Sequence, residues 1–297
     1  MAYNEDVDPS VARYDVAKMA ELQGEDDLAL SLYRPKTRDT SILRFKIFKR
    51  TSPIPLSDVL PMLENLGARI VSERPYELKT ASGDVIWIQD FDMRPPEQFD
   101  YRLDHVREPF QVAFEKIWRG EAENDGFNRL VLSARLTWEQ VALLRAIAKY
   151  LLQSEMPYSQ PYMEQTLYAT PLISRLLVEY FECRFDPERQ HENKKHREMG
   201  ARALKEHCSA LSTDIEDPVL DEYLGELCGC RSQEPPQSYP ELVRRAIGRA
   251  LGSVHSADQD RIFRAFCQFI DATLRTSTYQ WSSEGQRKSY ASFKLNS

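Results

Sequence analysis

Apolar and polar positions alternate most clearly over residues 42–49. Leu43, Phe45 and Ile47 fall on one side of an extended chain and Arg44 and Lys46 on the other, which predicts a half-buried strand with one wet face. Beyond Ser52-Pro53-Ile54-Pro55 the period changes, and Val59, Leu60, Leu63 and Leu66 recur at helical spacing until Gly67. Ser57 is the predicted N-cap, Asp58 adds negative charge to the first turn, and Pro61 still falls within it. Residues 68–71 and 85–88 read as strands separated by 76–84, where Ser82-Gly83-Asp84 is a turn signal. Upstream, Leu28-Ala29-Leu30-Ser31-Leu32 begins the ordered part as a strand or a short lead-in, while residues 1–27 are acidic and weakly patterned and predict a flexible end. The order strand, helix, strand, strand is that of an α+β domain.

After the linker signalled by Pro95 and Pro96, strand patterns nearly vanish. Phe110, Phe114 and Ile117 form one helical stripe; Val141, Leu144, Ile147 and Leu151 form another behind Thr137 and Gln140, which have capping-box spacing. Leu172, Leu176, Tyr180 and Phe181 mark a helix that stops before Phe185-Asp186-Pro187. Residues 188–211 read as a long polar helix, and 212–240, with Glu234-Pro235-Pro236-Gln237, as connections around a short helix at 219–228. Helical periodicity returns at 242–251 and at 262–274, the latter capped by Ser256 and Gln259. Residues 290–295 alternate like a strand with no strand pattern near them, so they are expected to lack a partner and to expose Phe293 and Leu295.

With 297 residues and 42% hydrophobic content the chain can build one large or two ordinary globular domains. A formal net charge of -7 argues against a nucleic-acid or membrane-surface binder, which needs a basic excess. No run approaches the roughly 18 apolar residues of a membrane span, and Met1 leads into an acidic, polar stretch, so a cytoplasmic protein is expected. Five cysteines, an odd count in a chain of this size, fit reduced thiols better than a disulfide framework.

Candidate chemistry is sparse. None of the 11 glycines forms the Gly-x-Gly-x-x-Gly turn that lets backbone amides approach a pyrophosphate, and no Gly-x-Ser-x-Gly elbow presents a nucleophile. His191 and His196 are spaced five apart, where a helical metal pair wants about four. His207-Cys208 and Cys228-Gly229-Cys230 lack zinc spacing and read as ordinary side chains and thiols. Arg44, Lys46, Lys49 and Arg50 beside Phe45 and Phe48 have the flavour of an RNA-binding strand, but Phe45 points away from Arg44 and Lys46. The expectation is a polar sheet face, with an acidic partner surface as the alternative. Trp87, Trp118 and Trp138 are assigned to core packing, and Glu121 to Asp125 to a solvated helix end or loop. No catalytic, cofactor-binding or metal-ligating residue is assigned.

Several strings carry a resemblance. The segment 32–91, with Leu32-Tyr33-Arg34-Pro35 and Arg74-Pro75-Tyr76-Glu77, resembles the ACT-like region of the large bacterial NAD-specific glutamate dehydrogenases. The likeness continues through Trp118-Arg119-Gly120-Glu121 to Leu132 and returns in Asp260-Arg261-Ile262, Ala272-Thr273-Leu274-Arg275-Thr276 and Ser292-Phe293-Lys294-Leu295. It implies an α+β, ACT-like (ferredoxin-like) domain at 28–98, an all-α domain at 99–285, and a strand at 286–297 leading toward a catalytic domain outside the chain. The parent reaction it implies is oxidative deamination of L-glutamate to 2-oxoglutarate and ammonia with hydride transfer to NAD, and the family's catalytic lysine has no matching position here. Expected partners are the catalytic domain, other copies in a homo-oligomer and an amino-acid effector, with no nucleic acid and no membrane. Because ACT domains hold effectors near the loop after their first strand, Ser52, Ser57 and Asp58 are the candidate effector residues; the stronger reading of the residues themselves is that Ser57 caps the helix and Asp58 favours its dipole. The competing reading is a freestanding ACT-type amino-acid-sensing or protein-interaction module.

Overall fold

The computed structural model describes residues 3–35, 41–80, 83–95, 103–154, 156–190, 239–281, 288 and 290–296. It divides into two units, residues 1–132 and 133–297.

The first unit runs α1 (Tyr3–Asp6), α2 (Pro9–Met19), β1 (Leu28–Tyr33), β2 (Leu43–Arg50), α3 (Leu56–Asn65), β3 (Arg69–Lys79), β4 (Val85–Arg94) and α4 (Leu103–Trp118), then a 3-10 turn at Gly126–Arg129. The strands form one antiparallel sheet in the order β1-β2-β4-β3. From β2 onward the order is strand, helix, strand, strand, helix, one strand short of a ferredoxin-like unit. The N-terminal β1 supplies a strand at the edge beside β2. Register assigns the faces. Phe45 opposes Phe91 and Leu32, and all three are buried on the side where Phe45 meets the rings of Phe110 and Phe114 on α4 at 5.3 and 5.0 Å. Val59, Met62 and Leu63 of α3 are buried as well.

The opposite face corrects two expectations. It is not wet: Phe48, Ala29, Ile86, Ile88 and Tyr76 make a second core there with Leu22, against which Tyr3, Val7 and Met19 pack. The N-terminal stretch that read as a flexible acidic end is therefore helical and covers this face. Asp8 caps α2 by accepting from the Ser10 amide at 2.8 Å, and Pro9 begins it.

Helix α3 starts earlier than expected. Pro55, not Ser57, is the N-cap and no side chain caps the helix, so Pro61 lies in its second turn. Its end follows the sequence: Gly67 has φ of 90°, its amide donates to Glu64 and that of Ala68 to Leu63, closing the helix with a left-handed residue. β3 and β4 both run beyond the predicted strands, β4 into what read as linker; β3 accommodates Pro75 because it is an edge strand.

The second unit contains α6 (Trp138–Gln153), α7 (Gln160–Ala169), α8 (Pro171–Phe185), α9 (Pro187–Gln190), α10 (Tyr239–Leu251) and α11 (Ala257–Ala272), preceded by α5 (Leu130–Ser133) at the division between the units. Thr137 and Gln140 form the predicted capping box, and Ser256 accepts from the Gln259 amide. Helix α8 is buried along most of its length. Of the polar helix expected at 188–211 the described residues include only the start, within α9; the rest of it and the short helix expected at 219–228 lie outside the described residues.

The last strand also corrects an expectation. β6 (Phe293–Leu295) is not alone: it pairs antiparallel with β5 (Thr273–Thr276), a segment read as the end of the preceding helix. Leu274 follows Ile270 at helical spacing, but the chain leaves the helix at Thr273, whose backbone is extended and whose hydroxyl donates to the Phe269 carbonyl at 2.7 Å.

Phe45→Ala should cost about 3–5 kcal/mol of first-unit stability, read as a lower urea midpoint with an unchanged m-value, because the cavity opens between the sheet and α4.

Candidate functional site

The densest chemistry in the first unit lies beneath α2. Alternation along three neighbouring strands places Arg44 and Lys46 (β2), Asp90 and Asp92 (β4) and Ser72 and Arg74 (β3) on that face, and α2 adds Asp15. Lys46 is 0% exposed; its Nζ lies 2.5 Å from Asp15 and 3.8 Å from Asp90, and 5.7 Å from the centre of the Tyr33 ring. The Tyr3 hydroxyl donates to Asp15. Arg44 reaches Asp92 at 2.8 Å and Asp90 at 3.7 Å, while Arg74 and the Ser72 hydroxyl meet the other Asp92 oxygen at 2.7 and 2.9 Å. Three cations thus meet three carboxylates.

The carboxylates differ. Burial pushes the Asp90 carboxyl above its usual range despite Lys46 and Arg44, and neither of its oxygens accepts a hydrogen bond. Burial also opposes the charge on Asp92, but the Ser72 hydrogen bond together with Arg44 and Arg74 outweighs it and holds that carboxyl below the usual range. A raised carboxyl beside an ammonium would suit proton transfer, yet Lys46, Asp15 and Asp90 are sealed from solvent and nothing could reach them as substrate. The arrangement is a clamp that holds α2 on the sheet.

A second buried cluster joins elements of the second unit. Arg189 bridges Glu179 at 2.7 Å and Glu182 at 2.6 Å, the Tyr239 hydroxyl donates to Glu179 at 2.9 Å, and the Gln140 amide donates to Glu182 at 2.7 Å. Burial raises the Glu182 carboxyl above its usual range. Pattern reading passed over both clusters, since their members are far apart in sequence; the available signal was polar residues inside otherwise apolar stripes.

Ser57 and Asp58 lie in the first turn of α3 and Ser52 in the segment before it, and all three are exposed. The Ser57 hydroxyl donates to Asp58 at 3.2 Å, and the preceding loop is fastened by the buried Gln89, whose amide group exchanges two hydrogen bonds with the Ile54 backbone at 2.8 and 3.0 Å. Trp87, Trp118 and Trp138 are half-buried rather than core residues. Cys267 is buried and Cys183 half-buried, both as free thiols; His191, His196, His207, Cys208, Cys228 and Cys230 lie outside the described residues. Among the described residues no group of three or more His, Cys, Asp or Glu could hold a metal ion, and no helix is long and apolar enough to cross a membrane.

Three family models match the chain in succession. That for the ACT3 domain of glutamate dehydrogenase covers residues 27–106, coinciding with the four-stranded sheet, α3 and the start of α4. Helical motif 3 of glutamate dehydrogenase covers 122–187, and the catalytic domain of bacterial NAD-glutamate dehydrogenase covers 246–297. Over 99% of its length the chain is 40% identical to the NAD-specific glutamate dehydrogenase of Halomonas elongata and 36% identical to that of Pseudomonas aeruginosa. The chain is homologous to a segment of the bacterial NAD-specific glutamate dehydrogenases. Over 94% of its length it is 31% identical to the Mycobacterium tuberculosis enzyme of that name. It spans 16% of the length of the Halomonas and Pseudomonas relatives. The catalytic-domain match begins at 246, so α11, β5 and β6, which sequence reading assigned to a helical domain and a terminal strand, fall within it.

Asp15→Ala should destabilise the first unit by about 3–5 kcal/mol in urea unfolding, because it removes the nearest partner of the buried Lys46 and leaves only Asp90, 3.8 Å away. Asp15→Ala with Lys46→Met should cost less than the sum of the single changes. The pH dependence has a defined sign. Asp92, lowered in the folded state, contributes stability above the unfolded carboxylate value near 4 that disappears as pH falls through its folded value; Asp90, raised, works oppositely, favouring the folded state more when protonated. Asp92→Asn should therefore flatten the acid-side fall of the urea midpoint.

Proposed function

We propose that the chain is a non-catalytic, structural and regulatory portion of a cytoplasmic, homo-oligomeric NAD-dependent glutamate dehydrogenase whose remaining polypeptide oxidises L-glutamate to 2-oxoglutarate and ammonia. The observation that carries this reading is the succession of an ACT3 domain, a helical motif and part of a catalytic domain along one chain of matching fold. The described residues supply ionic clamps with buried carboxylates, and packed helices, which suit holding and orienting a neighbouring catalytic body. NAD belongs to that body, where a glycine-rich turn can receive its pyrophosphate. Purified alone, the chain should form no NADH from glutamate and NAD above a blank, and activity surviving repurification would overturn the non-catalytic assignment.

The regulatory half of the proposal places an amino-acid effector at the start of α3. No side chain caps this helix; the Asp58 amide donates to the Pro55 carbonyl at 3.0 Å, which leaves the Leu56 and Ser57 amides to meet a carboxylate, with the exposed Asp58 in the same turn to pair with an ammonium. A freestanding amino-acid sensor would use the same site without any catalytic partner. Calorimetric titration with the common amino acids should give a saturable heat for at least one, lost in Asp58→Ala while the far-UV spectrum is kept; no heat at millimolar concentrations would leave these residues as structural only.

A further inference from the structure

We propose that the cleft between α8 and α10 is a binding site for the phosphoryl group of a small metabolite, free or esterified, whether or not the chain works as part of an enzyme. The cleft has a volume of about 600 Å³, within the range of small-ligand sites. Each helix contributes residues four apart, which puts them on one face: Tyr180 and Arg184 near the end of α8, and Pro240 and Glu241 with Arg244 and Arg245 in the first two turns of α10. Three guanidiniums thus reach one cleft.

Two of these arginines already converge on an anion. Asp271, near the end of α11, accepts from the Tyr180 hydroxyl and lies 3.8 Å from Nη1 of Arg184 and 3.4 Å from Nε of Arg244. Its side chain is 41% exposed, so the place where the two guanidiniums meet is open to solvent. Arg184 is held from behind: it donates to the Ile270 carbonyl, and its guanidinium lies 5.6 Å from the centre of the Tyr180 ring and 5.0 Å from that of Phe185. A guanidinium fixed in this way loses little further freedom when it grips an oxyanion.

The cleft has cationic capacity to spare. Arg244 donates from its Nε to Asp271 and makes no other hydrogen bond, and the exposed Arg245 makes no hydrogen bond or ion pair among the described residues. Three guanidiniums face two carboxylates, those of Asp271 and Glu241, and the positive end of the α10 dipole lies on the same side. A phosphoryl group suits this arrangement better than a carboxylate, because its oxygens point in several directions and can be gripped from both helices, whereas a carboxylate offers one planar fork. Pro240 and Tyr180 supply apolar wall for the organic part of an ester. The site also lies where two family matches approach each other: Arg184 belongs to the helical motif and Asp271 to the catalytic-domain segment. A ligand bridging α8 and α10 here fastens the end of one to the start of the other.

Calorimetric titration of the purified chain with inorganic phosphate and with glycerol phosphate, at fixed ionic strength, tests the site, with succinate as a carboxylate of equal charge. Saturable binding of a phosphoryl probe at millimolar concentration or below is expected. Arg245→Ala should weaken it by about tenfold, while Arg249→Ala, which removes the same charge from the same helix outside the cleft, should leave it unchanged. Arg245 has no partner to lose, so its variant should keep the far-UV spectrum and melting temperature of the parent chain. Asp271→Asn, which releases Arg184 and Arg244 from their internal anion, should tighten binding. An ester bound more strongly than inorganic phosphate extends the site along Pro240, and equal binding confines it to the phosphoryl group; either supports the proposal. It is overturned by absence of saturable binding with both phosphoryl probes, by binding that Arg245→Ala leaves unchanged, or by succinate binding as tightly as they do.

Discussion

An ammonium group with no path to water must find carboxylates within a few ångströms or give up its charge, and Lys46 stands under that constraint on an inner strand of the sheet. Its nearest partner is not another strand residue but Asp15, carried by a helix that precedes the sheet in sequence. The N-terminal segment is thereby part of the fold rather than an appendage. Once α2 is in place, Phe48, Ile86 and Ile88 are buried beneath it, and the sheet has two dry faces. A sheet covered on both sides loses the plain apolar-in, polar-out reading, because residues on both faces are sheltered from water.

That double cover explains which elements could be read from the sequence. Signals that act over a few residues were legible: the Thr137–Gln140 box, the Ser256 cap and the Gly67 stop all appear where their chemistry placed them. Elements held by distant partners were not. Helix α2 has Asp8 and Pro9 as start signals, yet the one residue it buries is an aspartate, so it offers no apolar stripe to recognise. β5 was hidden for the opposite reason, since Leu274 continues the spacing of α11 although the backbone has already turned extended. Helix α7 escaped pattern reading, although Ser159 caps it and Pro161 lies in its first turn.

The candidate effector residues illustrate the difference between placing residues and building a site. Ser57 and Asp58 share the first turn of α3, Ser52 precedes it in the chain, and the buried Gln89 fixes Ile54 between them. They stand exposed at a helix start, without apolar walls of the kind that enclose most small ligands. The buried clusters have the opposite character: their carboxylates are sheltered and face cations of the fold itself.

Pro75 has a consequence for how copies of this unit could meet. It occupies the middle of β3, the outermost strand on one side of the four-stranded sheet, opposite Gln89. A proline carries no backbone donor, so a strand approaching this edge would find the hydrogen-bonding row interrupted at its centre. Association by merging sheets is discouraged on that side. Contacts between copies at that edge fall to side chains, which can be tuned one residue at a time, while the opposite edge of the sheet belongs to β1.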